Sequence, residues 1–394
     1  MGTIIVVAIV LSYSRAGIIS LAAVCTIFLY QKLLHRRILK FSLLAGLVAL
    51  ILGCYWIKKD SADGRLLIWQ SCINMVKDSP WIGHGLGSFE AHYMDYQAEY
   101  FRIHGQQNRY AMLADNVKHP FNEYMEILLN FGIIGLVILF AFIFLLIYCY
   151  KLNPDIEKKI AVYVLISIGT FSLFSYPFTY PFTWIITLLS VLIIIKEPIK
   201  VFFAASWKKN VVCALVIGCS MIGIYELVER IQAELEWGRI SKLTLSDSYD
   251  TVLPAYEKLE KAFADNPYFL YNYAAVLLEK KQYDKSLEIA LQCRKYWADY
   301  DLELILGENY QQLNKPKLAE KYYNSASMMC PSRFLPLYKL FHLYKMNGEK
   351  ERSLAMAEAV VDKPMKIETV AIKRMKREME REIQKINIVT CLLS

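Results

Sequence analysis

The apolar positions of this chain divide it at about residue 226. Before that point they run in long blocks; after it Lys, Glu, Asn and Tyr dominate. A helix crossing a bilayer needs ~20 mostly apolar residues. Six blocks approach that length: 17–30, 41–57, 127–150, 160–175, 181–195 and 210–226. Residues 3–11 are apolar too, but they reach only half a span and lack the charged start and small-residue cleavage site of a signal peptide. The pattern predicts an all-α protein. Residues 1–226 form a polytopic transmembrane domain, incomplete at its N terminus, with an external loop at 58–119; residues 227–394 form a soluble helical domain.

Basic residues beside the spans set orientation, because short cytoplasmic loops carry the excess of Lys and Arg. Lys32, Arg36, Arg37 and Lys40 mark one inner loop, Lys151, Lys158 and Lys159 a second, and Lys196, Lys200, Lys208 and Lys209 a third. The turn "SYPFTYP" between the fourth and fifth spans then lies outside, as do 58–119 and everything after about 226.

Composition agrees with this division. At 56% hydrophobic and 21% charged, with mean hydropathy +0.28, the chain is too apolar for a soluble globule and too charged to be membrane throughout. The net charge of +8 is spread over loops and helices, which fits topology-setting lysines and excludes a nucleic-acid surface. Nine cysteines are scattered, with no CxxC pair and no metal spacing, so they read as small buried hydrophobes.

The candidate chemistry lies on the outer side. Helix 17–30 begins outside, placing Arg15 of "YSRAG" at the outer membrane boundary. The external loop carries Arg65 in "DGRLLIWQ" and ends at His119. A charge beside a span is costly and is a functional candidate by default; snorkelling or helix capping is the plain alternative for Arg15 alone. Arginine offers a planar, permanently charged fork for phosphate oxygens, and histidine can take a proton from a hydroxyl nucleophile. Together they suit attack by an alcohol on a carbon whose leaving group is a phosphate or diphosphate. At the head of 119–136, Pro120 suits a first helical turn, and Glu123 and Glu126 suit the positive end of the helix dipole. His84, His92 and His104 fall in the loop without a motif, and "GHGLG" follows no strand-to-helix turn of the kind that binds dinucleotides.

In order and spacing, "LSYSRAGIISL", "DGRLLIWQSCINMVKDSPWIGHGLGSFEAHY" and "HPFNEYMEILLNFGIIGLVILF" resemble the core of the bacterial O-antigen ligase and polymerase family, which includes O-linked oligosaccharyltransferases. The resemblance covers roughly residues 4–145. It implies a GT-C-like glycosyltransferase of the bacterial inner membrane that passes a glycan from a polyprenyl-diphosphate carrier to a glycan, lipid or protein acceptor on the periplasmic side. No metal or other cofactor is implied. Arg15 and Arg65 match arginines that would contact the diphosphate, His119 matches the first histidine of a His-x-His-Asn form and would be the base or would orient the acceptor, and Asn122 would touch substrate. The residue before the asparagine, often histidine in the family, is Phe121 here.

The soluble part repeats. Aligning 273–291, 306–326 and 341–360 puts Ser286, Ala319 and Ser353 in register. The small residues and the period match tetratricopeptide repeats. Residues 249–267 resemble the second helix of a partial repeat, and 365–385 a charged closing helix. Such an array would stand in the periplasm and bind an envelope protein, an acceptor or glycan. A scaffold acting through its repeats is the alternative to an enzyme.

Overall fold

In a computed structural model, residues 2–33, 36–197, 206–244 and 249–393 are described, and among them every regular element is helical. Up to residue 194 the α-helices are α1 (Gly2–Leu11), α2 (Arg15–Lys32), α3 (Arg37–Ile57), α4 (Lys59–Asp78), α5 (Ser88–His104), α6 (Glu123–Leu152), α7 (Ile156–Ser172) and α8 (Pro181–Ile194), with a short 3-10 turn at Pro177–Thr179. The helix α9 (Ser206–Thr244) follows. Contacts gather the chain into two compact units, Met1–Phe89 with His119–Ser220, and Glu90–Lys118 with Met221–Ser394. Lys200 of the third basic cluster lies outside the described residues.

Among the described residues, three helices are long and apolar enough to cross a membrane: Arg37–Ile57, Glu123–Leu152 and Asn210–Thr244. Pro181–Ile194 is apolar but shorter. The blocks at 17–30 and 160–175 fold as α2 and α7, which pack together, with Ser20 Oγ donating to Ser167 O at 2.7 Å. Small buried residues on α2, Ala16, Ser20 and Ala23, allow that approach.

The stretch 58–119, expected as a loop, is largely helical. Within α4 the buried positions Asp63, Leu67, Ile68, Ser71, Cys72 and Met75 form one stripe, the spacing of an amphipathic helix rather than a membrane span. Polar residues between them hide the pattern from a search for apolar blocks.

The first unit is organised around a break in α6. Gly132 has φ +62° and ψ −160°, so the helix stops and restarts there. The loop 79–87 closes the gap with its own backbone. His84 N–H donates to Leu129 O at 2.8 Å and Gly85 N–H to Asn130 O at 3.0 Å, so the last carbonyls of the first piece are satisfied. Ile133 N–H donates to Pro80 O at 2.8 Å and Ile134 N–H to Trp81 O at 3.2 Å, so the first amides of the second piece are too. Asn130 Oδ1 accepts from Ser88 Oγ–H at 2.8 Å. Helix ends leave such groups unpaired, and near a bilayer that is expensive. Of the "GHGLG" glycines, Gly83 serves close approach: at φ +68°, a Cβ on it would lie 2.5 Å from Leu129 O, whereas Gly85 and Gly87 supply left-handed backbone in open space. A Cβ on Gly132 would overlap the Trp81 carbonyl group.

The second unit contains three helix pairs: α11 (Pro267–Glu279) with α12 (Tyr283–Arg294), α13 (Tyr300–Gln312) with α14 (Pro316–Met329), and α15 (Leu335–Met346) with α16 (Lys350–Asp362). The α10 helix (Tyr249–Leu259) precedes them and α17 (Val370–Leu393) packs on α16. One turn recurs in every pair. Lys281, Asn314 and Gly348 have left-handed backbones at φ +59°, +54° and +77°. The next residue donates back each time at 2.9 Å: Gln282 N–H to Leu277 O, Lys315 N–H to Tyr310 O, Glu349 N–H to Tyr344 O. This is the Schellman closure of a helix. Ser286, Ala319 and Ser353 sit buried in the first turn of the second helix of each pair. Ser286 Oγ donates to Ala274 O at 2.8 Å and accepts from Asn309 Nδ2 at 2.8 Å.

Residues 90–118 are built into this unit. Arg294 donates to Asp95 Oδ1 at 2.5 Å and to the buried Glu303 Oε1 at 2.6 Å. Gln97 Nε2 donates to Met329 O at 2.6 Å, and Tyr93, Met94 and Phe101 are buried. Asp299 caps α13, accepting from Asp301 N–H at 2.8 Å and Leu302 N–H at 3.2 Å, while Asn116 Nδ2 donates to its Oδ2 at 2.7 Å. Burial, then the neighbouring Asp301, push the Asp299 carboxyl up to about 6 against those three donors.

Three outcomes follow from these contacts. Gly132→Ala meets both a left-handed backbone and the Trp81 carbonyl, and costs about 2–4 kcal/mol, read as a lowered melting temperature of the purified protein. A fragment 221–394 melts roughly 10 °C lower alone than when fused to 90–118, the shift expected for ~3 kcal/mol in a domain of this size. Asp299 binds its proton more readily folded than unfolded, so its stabilisation is present below about pH 4 and is lost as pH rises through about 6. Thermal melts between pH 4 and 7 therefore have a flatter pH slope in Asp299→Asn than in wild type.

Candidate functional site

The three outer stretches singled out in the sequence meet in the first unit. Arg15 opens α2, whose cap is Ser14 Oγ accepting from Gly17 N–H at 3.2 Å. Its guanidinium reaches the C-terminal end of α3, where Nη1 donates to Cys54 O at 3.3 Å and Lys58 O at 3.2 Å, and Nη2 donates to Ser61 Oγ at 2.9 Å. Arg15 is thus a helix-end cap, as the plain alternative held. It does more than that. A cavity of about 140 Å³ is lined by Arg15, Cys54, Tyr55, Arg65, Trp69 and Phe174, among others.

Arg65 enters the same cavity from α4. Nη1 donates to Phe174 O at 2.8 Å, and the guanidinium carbon stands 5.0 Å from the centre of the Phe121 ring. Burial, then the charge of Arg15, hold Arg65 below its ordinary value, while Tyr176 works the other way. Among the described residues neither arginine has a carboxylate at ion-pair distance. Arginine has five N–H donors in a fixed fork. With one hydrogen bond shown for Arg65, most of its donors remain for a ligand. Two like charges sharing a partly buried space disfavour each other, and an anion entering it relieves both.

The segment 119–122 closes the site. Trp69 Nε1–H donates to Pro120 O at 2.9 Å, tying it to α4 one turn beyond Arg65. Phe121 has φ +55°, unusual for a bulky residue. That conformation puts its ring under Arg65 and edge-on to Tyr176, centroids 5.3 Å apart. His119 stacks on Tyr176 at 4.5 Å. Tyr176 is therefore flanked by both rings. Asn122 caps α6, Oδ1 accepting from Met125 N–H at 3.0 Å. Glu123 Oε1 accepts from Phe178 N–H at 2.9 Å, fastening the outer turn.

Arg15, Arg65, His119 and Asn122 are accordingly gathered, the first two at one cavity and the last two on the segment beside it. Two of the loop histidines have contacts of their own. His84 Nε2 lies 2.8 Å from Met75 O, and His104 stacks on Tyr100. Nothing in the local sequence marks Tyr176 or Phe174 as part of a site. Both follow the α7 helix in a turn that reads only as a hairpin, and proximity to the arginines is a tertiary fact.

Residues 2–140 match the family model described as O-antigen ligase. The match spans all four candidate residues and stops before Phe174 and Tyr176. It supports a membrane glycosyltransferase of the O-antigen ligase or polymerase type. No curated protein matches the chain.

Proposed function

We propose that the chain transfers a glycan from a polyprenyl-diphosphate carrier to an acceptor hydroxyl on the periplasmic side of the bacterial inner membrane. The observation that carries this reading is the pairing of Arg15 and Arg65 at one cavity with no carboxylate to neutralise them. A diphosphate leaving group supplies that missing charge. The acceptor oxygen bonds to the anomeric carbon, the bond from that carbon to the diphosphate oxygen breaks, and the two guanidiniums hold the departing anion. The acceptor proton passes to His119, whose ring is held flat against Tyr176. Asn122 Oδ1 is occupied as a helix cap, so only its Nδ2 would meet substrate.

In this chain Phe121 takes the place before Asn122 and supports Arg65 from below. The imidazole then comes from His119, on the other side of Tyr176. The helix pairs with their recurring left-handed turns support a tetratricopeptide-like solenoid, which would stand in the periplasm and present an acceptor or bind an envelope protein.

Membranes carrying the full gene, supplied with polyprenyl-diphosphate glycan, test the reading. Arg65→Ala lowers transfer by about 10²–10³ and His119→Ala by about 10²–10⁴, at unchanged protein level. Arg65→Lys restores only part, since it keeps the charge and loses the fork. Equal transfer by wild type and variants would sink the site. No transfer to any acceptor by wild type would favour the alternative, a membrane scaffold acting through its repeats.

A further inference from the structure

Where α6 breaks, the loop 79–87 turns its backbone inward and its large side chains outward. Trp81 is 66% exposed, Ile82 71% and Leu86 82%. Phe131, Ile133 and Ile134, on the helix beside the break, are exposed as well. A contiguous apolar patch of this kind marks an interaction surface, and four features of the chain say what covers it.

The first is position. After the break α6 runs from 133 to 152, about 20 residues or roughly 30 Å, the thickness of the hydrocarbon core. This helix meets the length and apolarity of a membrane crossing. The loop at its head therefore lies at the boundary between lipid and water, continuous with the lipid-facing side of the span. The second is the backbone. The exchange with 129–134, together with Gly83 N–H donating to Ser79 O at 3.2 Å and Ser79 Oγ to Gly83 O at 2.7 Å, pairs the polar groups that an exposed loop leaves to water. Irregular backbone is tolerated against lipid only when paired in this way. The third is residue type, since tryptophan favours the membrane interface. The fourth is charge. Lys77 and Asp78 are exposed immediately before the loop, on the approach to the headgroup layer, and no charge falls within 79–87.

We infer that the loop 79–87 is a bilayer anchor, with Trp81, Ile82 and Leu86 inserted among the lipids of the leaflet at the head of α6. It fixes the end of α4, the helix that carries Arg65 and Trp69, at a set depth. The inference rests on the first unit alone and holds whatever reaction the arginine cavity performs.

The full-length protein in vesicles of phosphatidylethanolamine and phosphatidylglycerol provides the test. A photoactivated benzophenone amino acid is placed at Ile82, Leu86 or, as control, Ile103, which is 67% exposed on α5 in the second unit. All three positions are on the surface, so the fold tolerates the label. Mass spectrometry finds phospholipid adducts at 82 and 86 and none above background at 103. Absence of lipid adducts at 82 and 86, adducts there with another protein chain instead, or equal lipid adducts at all three positions would each overturn the anchor.

Discussion

The first unit depends on how the broken backbone of α6 is satisfied. A helix interrupted at Gly132 exposes carbonyls on one side of the gap and amides on the other, next to a span that lipid surrounds. The loop 79–87 answers both sets, and this commits much else. It fixes the end of α4 against α6 and so sets where Arg65 and Trp69 stand. Trp69 then holds Pro120, Pro120 and Phe121 set the entry to α6, and Asn122 and Glu123 fasten that entry to its own helix and to the outer turn. The site is the far end of one chain of hydrogen bonds that begins at two glycines.

Electrostatics explains why that end is left unfinished. A protein optimised only for stability pairs a half-buried guanidinium with a carboxylate, and the second unit does so with Arg294, Glu303 and Asp95. In the first unit Arg15 spends its donors on carbonyls at the end of α3, and Arg65 spends one on Phe174 and lies over an aromatic ring. Those contacts orient the groups without cancelling their charge. The contrast between the two units is chemical. Neutral acceptors and a ring face hold a cation in place while leaving it able to bind an anion.

The sequence disclosed what depends on local pattern. Long apolar runs gave six expected spans, of which three meet the length and apolarity of a crossing among the described residues; the spacing of Ser286, Ala319 and Ser353 gave the helix pairs, and Arg15, Arg65 and His119 stood out as costly charges or titrating groups near spans. What depends on tertiary pairing stayed hidden. The α4 stripe includes Asp63 and Ser71 and so does not read as apolar. Gly83 carries no local signal for the helix it approaches, which lies some 45 residues further along the chain. Tyr176 and Phe174 come near Arg65 only because the turn after α7 meets α4.

The placement of residues 90–118 has the deepest consequence for how such a chain can be cut and understood. Read along the sequence they are the end of an external loop; by contact they belong with Met221–Ser394. Asp95, Gln97 and Asn116 each supply a partner to a buried or half-buried group of the repeats, namely Arg294, the Met329 carbonyl and Asp299. A buried charge or donor stripped of its partner costs more than the bond contributed. The repeats are therefore completed by the loop, and the loop gains its order from the repeats. Because 89 and 90 lie on either side of the division, as do 118 and 119, both ends of the segment run directly into the first unit, one at the α6 break and one at His119.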